Sequence, residues 1–193
     1  MNTSHGISRL ANEGWLLIEG VLSAKEIAAM HTAWDEFEVS ENQTWDVAGK
    51  CEFLPCIESP ILFEFLPALL GDAIKLESLK GRSPKPDYGL QGLHVDTVGP
   101  VKPGEQILAN AFWILDEMSR ENGATRLVPD SHKTYSVPAG NYAQPNGKHP
   151  NDIYISANPG DLLLFSAHLR HSGSRNESGT RRRVVIAQFR RRK

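Results

Sequence analysis

Cysteine, long apolar runs and an excess of either charge are all scarce in this sequence. Only Cys51 and Cys56 occur in 193 residues, too few for a disulfide framework, and their lone C-x4-C spacing is poor for a structural zinc. Two free thiols in a reducing compartment are expected. Nothing approaches the about 20 apolar residues that cross a bilayer, because the most apolar stretch, Ile61 to Leu70, is interrupted by Glu64 and Pro67. The opening residues lack the basic-then-apolar order of a secretory signal. The formal net charge of -2 excludes a globally basic nucleic-acid binder. There is no repeat, which excludes solenoids and propellers. The expectation is therefore a single cytoplasmic domain over residues 1–193, at 40% hydrophobic and 23% charged residues an ordinary globule able to bury its own core. Its expected partner is a small molecule, not nucleic acid or a membrane.

The pattern along the chain is helical at first and then strand-rich. Trp15 to Leu22 reads as a short buried strand. Ser23 and Glu26 fit a capping box, and Ile27, Met30, Trp34 and Phe37 follow at helical spacing. Pro60 to Leu70 reads as a second helix stopped by Gly71. Strand candidates are Lys75 to Lys80, Tyr88 to Asp96, Ile107 to Leu115, Thr125 to Val128, Asp161 to Ser166 and Arg182 to Phe189. Many short strands after a helical start predict a barrel or sandwich backed by helices. The long segment Lys133 to Asn158, rich in Gly, Pro and Asn, reads as a lid.

Three features carry chemistry. In His94-Val-Asp96 the two polar side chains lie two apart, on one face of a strand, where both can reach one metal. His168 or His171, after the strand Asp161 to Ser166, would complete a two-histidine, one-carboxylate face of the kind non-haem iron oxygenases use; polar residues at a strand end are the plain alternative. In Arg181-Arg182-Arg183 alternation lets one guanidinium point inward, where its planar fork could grip a dicarboxylate.

Together these segments make the sequence resemble the phytanoyl-CoA dioxygenase family of Fe(II)- and 2-oxoglutarate-dependent oxygenases. The resemblance runs through Asn12 to Glu26, through Gly92-Leu-His-Val-Asp-Thr97, through Asn110 to Lys133 with its Glu121-Asn-Gly123 and Pro129-Asp-Ser-His-Lys133, and through Gly160 to Arg182. It implies a double-stranded β-helix, a jelly-roll or cupin-like barrel over about 75–193 with helices over about 1–74. It implies His94, Asp96 and His171 as iron ligands, His171 being followed by the family's Ser172-Gly173 and Asn176. Arg182, eleven positions after His171, corresponds to the arginine that pairs with the distal carboxylate of 2-oxoglutarate, leaving Arg181 and Arg183 facing outward. Gln91 and Phe112 correspond to cosubstrate-pocket positions, and Asn110 shares a strand face with Phe112. The implied activity is hydroxylation of an unactivated C–H bond, with O2 consumed and succinate and CO2 released.

The substrate class this implies is a small molecule such as a secondary metabolite or a carrier-bound acyl group. A non-catalytic barrel that binds a small molecule or metal is the alternative; zinc-dependent hydrolysis gives Arg182 no task. Two departures stand out. Asp130 replaces the glycine of the family's P-G-S-H turn, and Asp tolerates left-handed backbone. Glu38 to Ser59 is short where relatives shape the substrate entrance. His132 and Lys133 are expected to be structural, Arg190 to Lys193 to be a solvated basic tail, and His5, His31 and His149 to have no role in the site.

Overall fold

The computed structural model describes residues 2–36, 44–97 and 105–192. Phe37, the first six residues of the short segment Glu38 to Ser59, and Lys193 lie outside the described residues. The chain opens with a helix absent from the sequence reading, α1 (Thr3–Glu13), capped by the Asn2 side chain and closed by left-handed Gly14. It continues into β1 (Trp15–Ile18) and α2 (Ala24–Asp35). Ser23 and Glu26 form the expected capping box, with the Glu26 carboxylate accepting from Ser23 N and the Ser23 hydroxyl accepting from Glu26 N. After β2 (Thr44–Asp46) come three short helices, α3 (Pro55–Glu58), α4 (Pro60–Phe65) and α5 (Pro67–Leu70). The single helix expected over 60–70 is thus split, because Pro67 lacks the amide that would continue it. The remaining strands are β3 (Ile74–Arg82), β4 (Leu108–Ile114), β5 (Thr125–Leu127), β6 (Ile153–Tyr154), β7 (Leu162–Ser166), β8 (His171–Gly173) and β9 (Val184–Arg191).

Two antiparallel sheets result, one of six strands in the order β1-β7-β4-β9-β3-β2 and one of three in the order β6-β5-β8. Period-two alternation explains the layers. Ala109, Ala111 and Trp113 of β4, Leu162 and Leu164 of β7, and Val185, Ala187 and Phe189 of β9 face the helices and pack with Leu10, Met30, Trp34 and Leu62. Phe112, Ile114, Leu163, Phe165 and Val184 face the small sheet and meet Leu127, Ile155 and Leu169. Burial on both faces is why Ile107 to Leu115 reads as a nearly continuous apolar run.

The closed barrel expected from the resemblance is not what the hydrogen bonds form. The fold is mixed α/β with two open sheets, and among the described residues no ladder joins them. The reason lies in the short second sheet and in residues 88–96, expected as a strand. That segment contributes only a bridge at His94. Its amides find scattered acceptors: Gln91 on Gly173, Leu93 on Tyr142, His94 on His171 and Asp96 on Ala167. β8 is only three residues long and cannot pair with the whole segment.

Other expectations fare variously. β9 runs through Arg190 and Arg191, so the basic end is strand and not merely a solvated tail, and Arg190 pairs with Glu77 at 3.0 Å. The presumed lid contains two 3₁₀ turns and β6. Asp130 does adopt the left-handed backbone, at φ 64°. That turn docks on the end of α1, where Asp130 N donates to Glu13 O and the His132 ring lies against Gly14, leaving no room for a Cβ there. His31 meets Leu115 O and Asp116. Among the described residues no helix is long and apolar enough to cross a membrane.

Candidate metal centre

β8 of the small sheet and residues 88–96 bring the predicted ligands together. His94 and His171 exchange both backbone hydrogen bonds at 2.9 Å, so the two rings sit opposite one another with centroids 4.4 Å apart. Asp96 lies beside them. Its Oδ1 is 3.7 Å from His94 Nε2 and its Oδ2 is 3.4 Å from His171 Nε2. One donor atom from each of the three can be chosen so that all lie within 4.8 Å of one another. In both histidines Nδ1 faces a backbone carbonyl, Gly92 O at 3.0 Å and Leu169 O at 2.9 Å. Nδ1–H donation there leaves the Nε2 lone pairs directed at the centre, the tautomer a metal needs. The donor set of two imidazole nitrogens and one carboxylate fits iron(II).

Electrostatics favours the ligating forms. Burial works against the Asp96 charge, but His171, the hydrogen bond from Asn110 and the nearby His94 outweigh it and hold the carboxyl well below the usual range. Burial, followed by the influence of His171, pushes His94 below the ordinary imidazole value. Asn110, fully buried on β4, donates from Nδ2 to Asp96 Oδ2 at 2.7 Å and accepts from Gln188 Nε2 at 3.1 Å. It restrains the carboxylate instead of facing a cosubstrate as a free amide.

A cavity of about 170 Å³ adjoins these ligands. Phe112 and Ile186 give it an apolar wall, and Arg82, Arg182 and Lys80 give it positive charge. Arg182 is 2% exposed, and its Nε, like that of Arg82, is buried without a hydrogen-bond partner among the described residues. Burial first, and repulsion from Arg82 second, push Arg182 down to about 9, which still leaves it charged at neutral pH. The buried Arg182 and half-buried Arg82, each with an unsatisfied Nε donor, fit a dianionic guest such as 2-oxoglutarate. Gln91 lines the cavity with its Oε1 accepting from Gly173 N.

Around these ligands the other candidates are dispersed. His168 is not among the converging donors; its Nδ1 meets Gln106 Oε1 at 2.8 Å. Arg181 does face outward and pairs with Asp35. Arg183, also expected outward, is 8% exposed and makes a two-point pair with Asp116 at 2.8 and 2.9 Å. It turns inward because residues 181–183 precede the strand, where alternation does not apply. Lys80, Arg82 and Gln188 were missed. Their signal was present, since Ser78, Lys80 and Arg82 alternate with buried Leu79 and with Gly81, which lies against Trp34.

The sequence pattern of the phytanoyl-CoA dioxygenase family matches residues 80–184, just over half of the chain. Among curated proteins, dioxygenase af480 of Aspergillus fumigatus is 23% identical over 98% of this chain and 67% of its own length. Dioxygenase cnsJ of Penicillium expansum is 32% identical over 60% of this chain, but the match covers only 36% of that protein. Among solved structures, HygX of Streptomyces hygroscopicus, with nickel and 2-oxoglutarate bound, superposes at a TM-score of 0.82 with 16% identity, over 97% of this chain and 86% of its own. The epimerase SnoN, in complex with Fe3+, alpha ketoglutarate and nogalamycin RO, gives 0.79 with 17% identity, over 98% and 83%. At such identities the likeness to these structures speaks for the fold.

Proposed function

This chain belongs to the phytanoyl-CoA dioxygenase family of Fe(II)- and 2-oxoglutarate-dependent oxygenases, and from that premise we propose that it hydroxylates an unactivated C–H bond of a small molecule, with His94, Asp96 and His171 holding the iron and Arg182 the distal carboxylate of 2-oxoglutarate. The observation that carries this reading is the pair of Nε2 atoms turned on Asp96 while both Nδ1 atoms are engaged by carbonyls. When bound there, iron and 2-oxoglutarate supply an oxidant made from O2, with succinate and CO2 as the other products.

The protein's part is positional. Asp96 contributes the anionic ligand and Asn110 fixes its orientation. Gly92 O and Leu169 O hold the rings in the ligating tautomer. Arg182, with Arg82 near it, orients the cosubstrate by its far end. Phe112 and Ile186 keep water from that side of the cavity. Asp96 also favours hydroxylation over halogenation, since its carboxylate occupies the position that a halide would need.

The substrate is a secondary metabolite or a carrier-bound acyl group. In support, SnoN and HygX have been solved with nogalamycin RO and hygromycin B respectively. Residues 1–193 act as one oxygenase unit that needs no nucleic acid. A free, exposed Cys51 suits a reducing, cytoplasmic setting.

Anaerobic titration of the metal-free protein with Fe(II) and 2-oxoglutarate tests the proposal. Chelation by the keto acid gives a visible charge-transfer band that is absent with Fe(II) alone. A folded protein that yields no band would overturn the oxygenase reading in favour of a binding module.

A further inference from the structure

A second cavity, of about 260 Å³, is lined by Arg120, Arg126, Lys148 and Arg175. It lies across the small sheet from the iron ligands. Arg126 pairs with Ser172 and Tyr154 in the ladder, while the alternate residue Thr125 lines the metal-centre cavity. Arg126 is 4% exposed. Its Nε donates to Ser172 Oγ at 2.9 Å and its Nη1 to Gly147 O at 2.6 Å, with Asp152 3.3 Å away. Its Nη2 is buried with no partner among the described residues. The rim cations are also held in place: Arg120 stacks over the Tyr154 ring at 4.7 Å, and Arg175 Nη1 donates to Asp87 O at 3.2 Å.

Charge makes this cavity unusual in a chain of net charge -2. Glu177 is the one carboxylate among its lining residues, and Asp152 is already engaged by Arg126 and by His149 N. Four cations against these two carboxylates and that of Glu121, which interacts with Arg120, leave one positive charge in excess. Guanidinium groups with fixed planes and a free buried donor match the oxygens of a doubly charged tetrahedral anion better than those of a single carboxylate.

We propose that this cavity binds a phosphate group, with Arg126 donating from the floor and Arg120, Lys148 and Arg175 closing on the outer oxygens. The phosphate is either the free dianion or the terminal group of a larger molecule. The proposal does not depend on the metal centre.

Calorimetric titration of the metal-free protein with inorganic phosphate, at constant ionic strength in chloride, provides the test. A saturable site that survives Arg182→Met is expected. The triple variant Arg120→Ala, Lys148→Ala, Arg175→Ala changes only exposed side chains and should keep the fold; it should weaken binding at least tenfold. Arg126→Met should weaken it further, and Arg182→Met should leave it unchanged. No saturable heat, or undiminished binding in the triple variant, overturns the proposal. So does loss of binding in Arg182→Met, which would place the anion in the metal-centre cavity. Methyl phosphate separates the two sources: binding as tight as that of phosphate assigns the site to the end of a larger molecule, and binding of phosphate alone assigns it to the free ion.

Discussion

Replacing Asn110 by alanine tests whether the carboxylate of the metal centre is held from behind by β4. Asn110 is fully buried and its donor lies 2.7 Å from Asp96 Oδ2. A hydrogen bond to a charged group contributes about 1.5–3 kcal/mol net. The truncation also leaves Gln188 Nε2 without its 3.1 Å acceptor. A loss of about 2–3 kcal/mol follows, which in a chain of this size lowers the melting temperature by about 4–12 °C. Metal affinity should fall by about 10–100-fold, as for other groups that orient a ligand from behind. Thermal unfolding of the metal-free protein reads the first effect, and Fe(II) or Mn(II) titration at a temperature where the variant is folded reads the second.

The variant Asn110→Asp sharpens the test, because it sets a second carboxyl against Asp96. The two groups would share a proton and the folded-state affinity for that proton would rise above its unfolded value. The associated stability is then present at low pH and lost as pH rises through the folded pKa. The deficit of Asn110→Asp relative to the parent should therefore grow from pH 5 to pH 8. If Asn110→Ala unfolds like the parent and binds metal equally well, Asn110 does not restrain Asp96.

Three further outcomes are expected. Arg182→Met should raise the 2-oxoglutarate concentration needed for the charge-transfer band by about a hundredfold, the loss of a charged two-point contact, with Fe(II) binding in its absence unaltered; equal 2-oxoglutarate affinity would remove Arg182 from the cosubstrate site. Gly92→Ala would drive a Cβ into Ala143 O, so limited proteolysis should cut faster within residues 139–148, and unchanged cleavage would show that this segment does not rest on Gly92. A thiol reagent should titrate one cysteine in the native protein and two in denaturant, because Cys51 is exposed whereas burial pushes the Cys56 thiol far up.

What the sequence makes legible follows from how local each determinant is. The capping box at Ser23 and the two-faced strand β4 are written in neighbouring residues and appear where expected. His94 and Asp96 converge although their segment is not the strand that the spacing argument assumes. The choice of His171 over His168 came from the resemblance to a family, because either histidine follows the same strand and only the tertiary pairing with His94 separates them. Arg183 was misplaced because alternation was extended back beyond the first residue of β9. The closed barrel was misjudged for a related reason. Strand count is visible in periodicity, but the length of β8 and the scattered partners of residues 88–96 depend on which backbone groups happen to meet.

The reciprocal pairing of His94 with His171 joins a segment with almost no ladder of its own to the outermost strand of the small sheet. An ion held by both rings would be a cross-link over that seam, closing a loop of more than seventy residues. Holding it in place would shield the amides of His94 and His171 from solvent, and removing it would let the seam breathe while β4 and β9 stay sealed. Amide hydrogen exchange should therefore divide the wall of this cavity into a permanent half on the large sheet and a half whose protection is set by the metal.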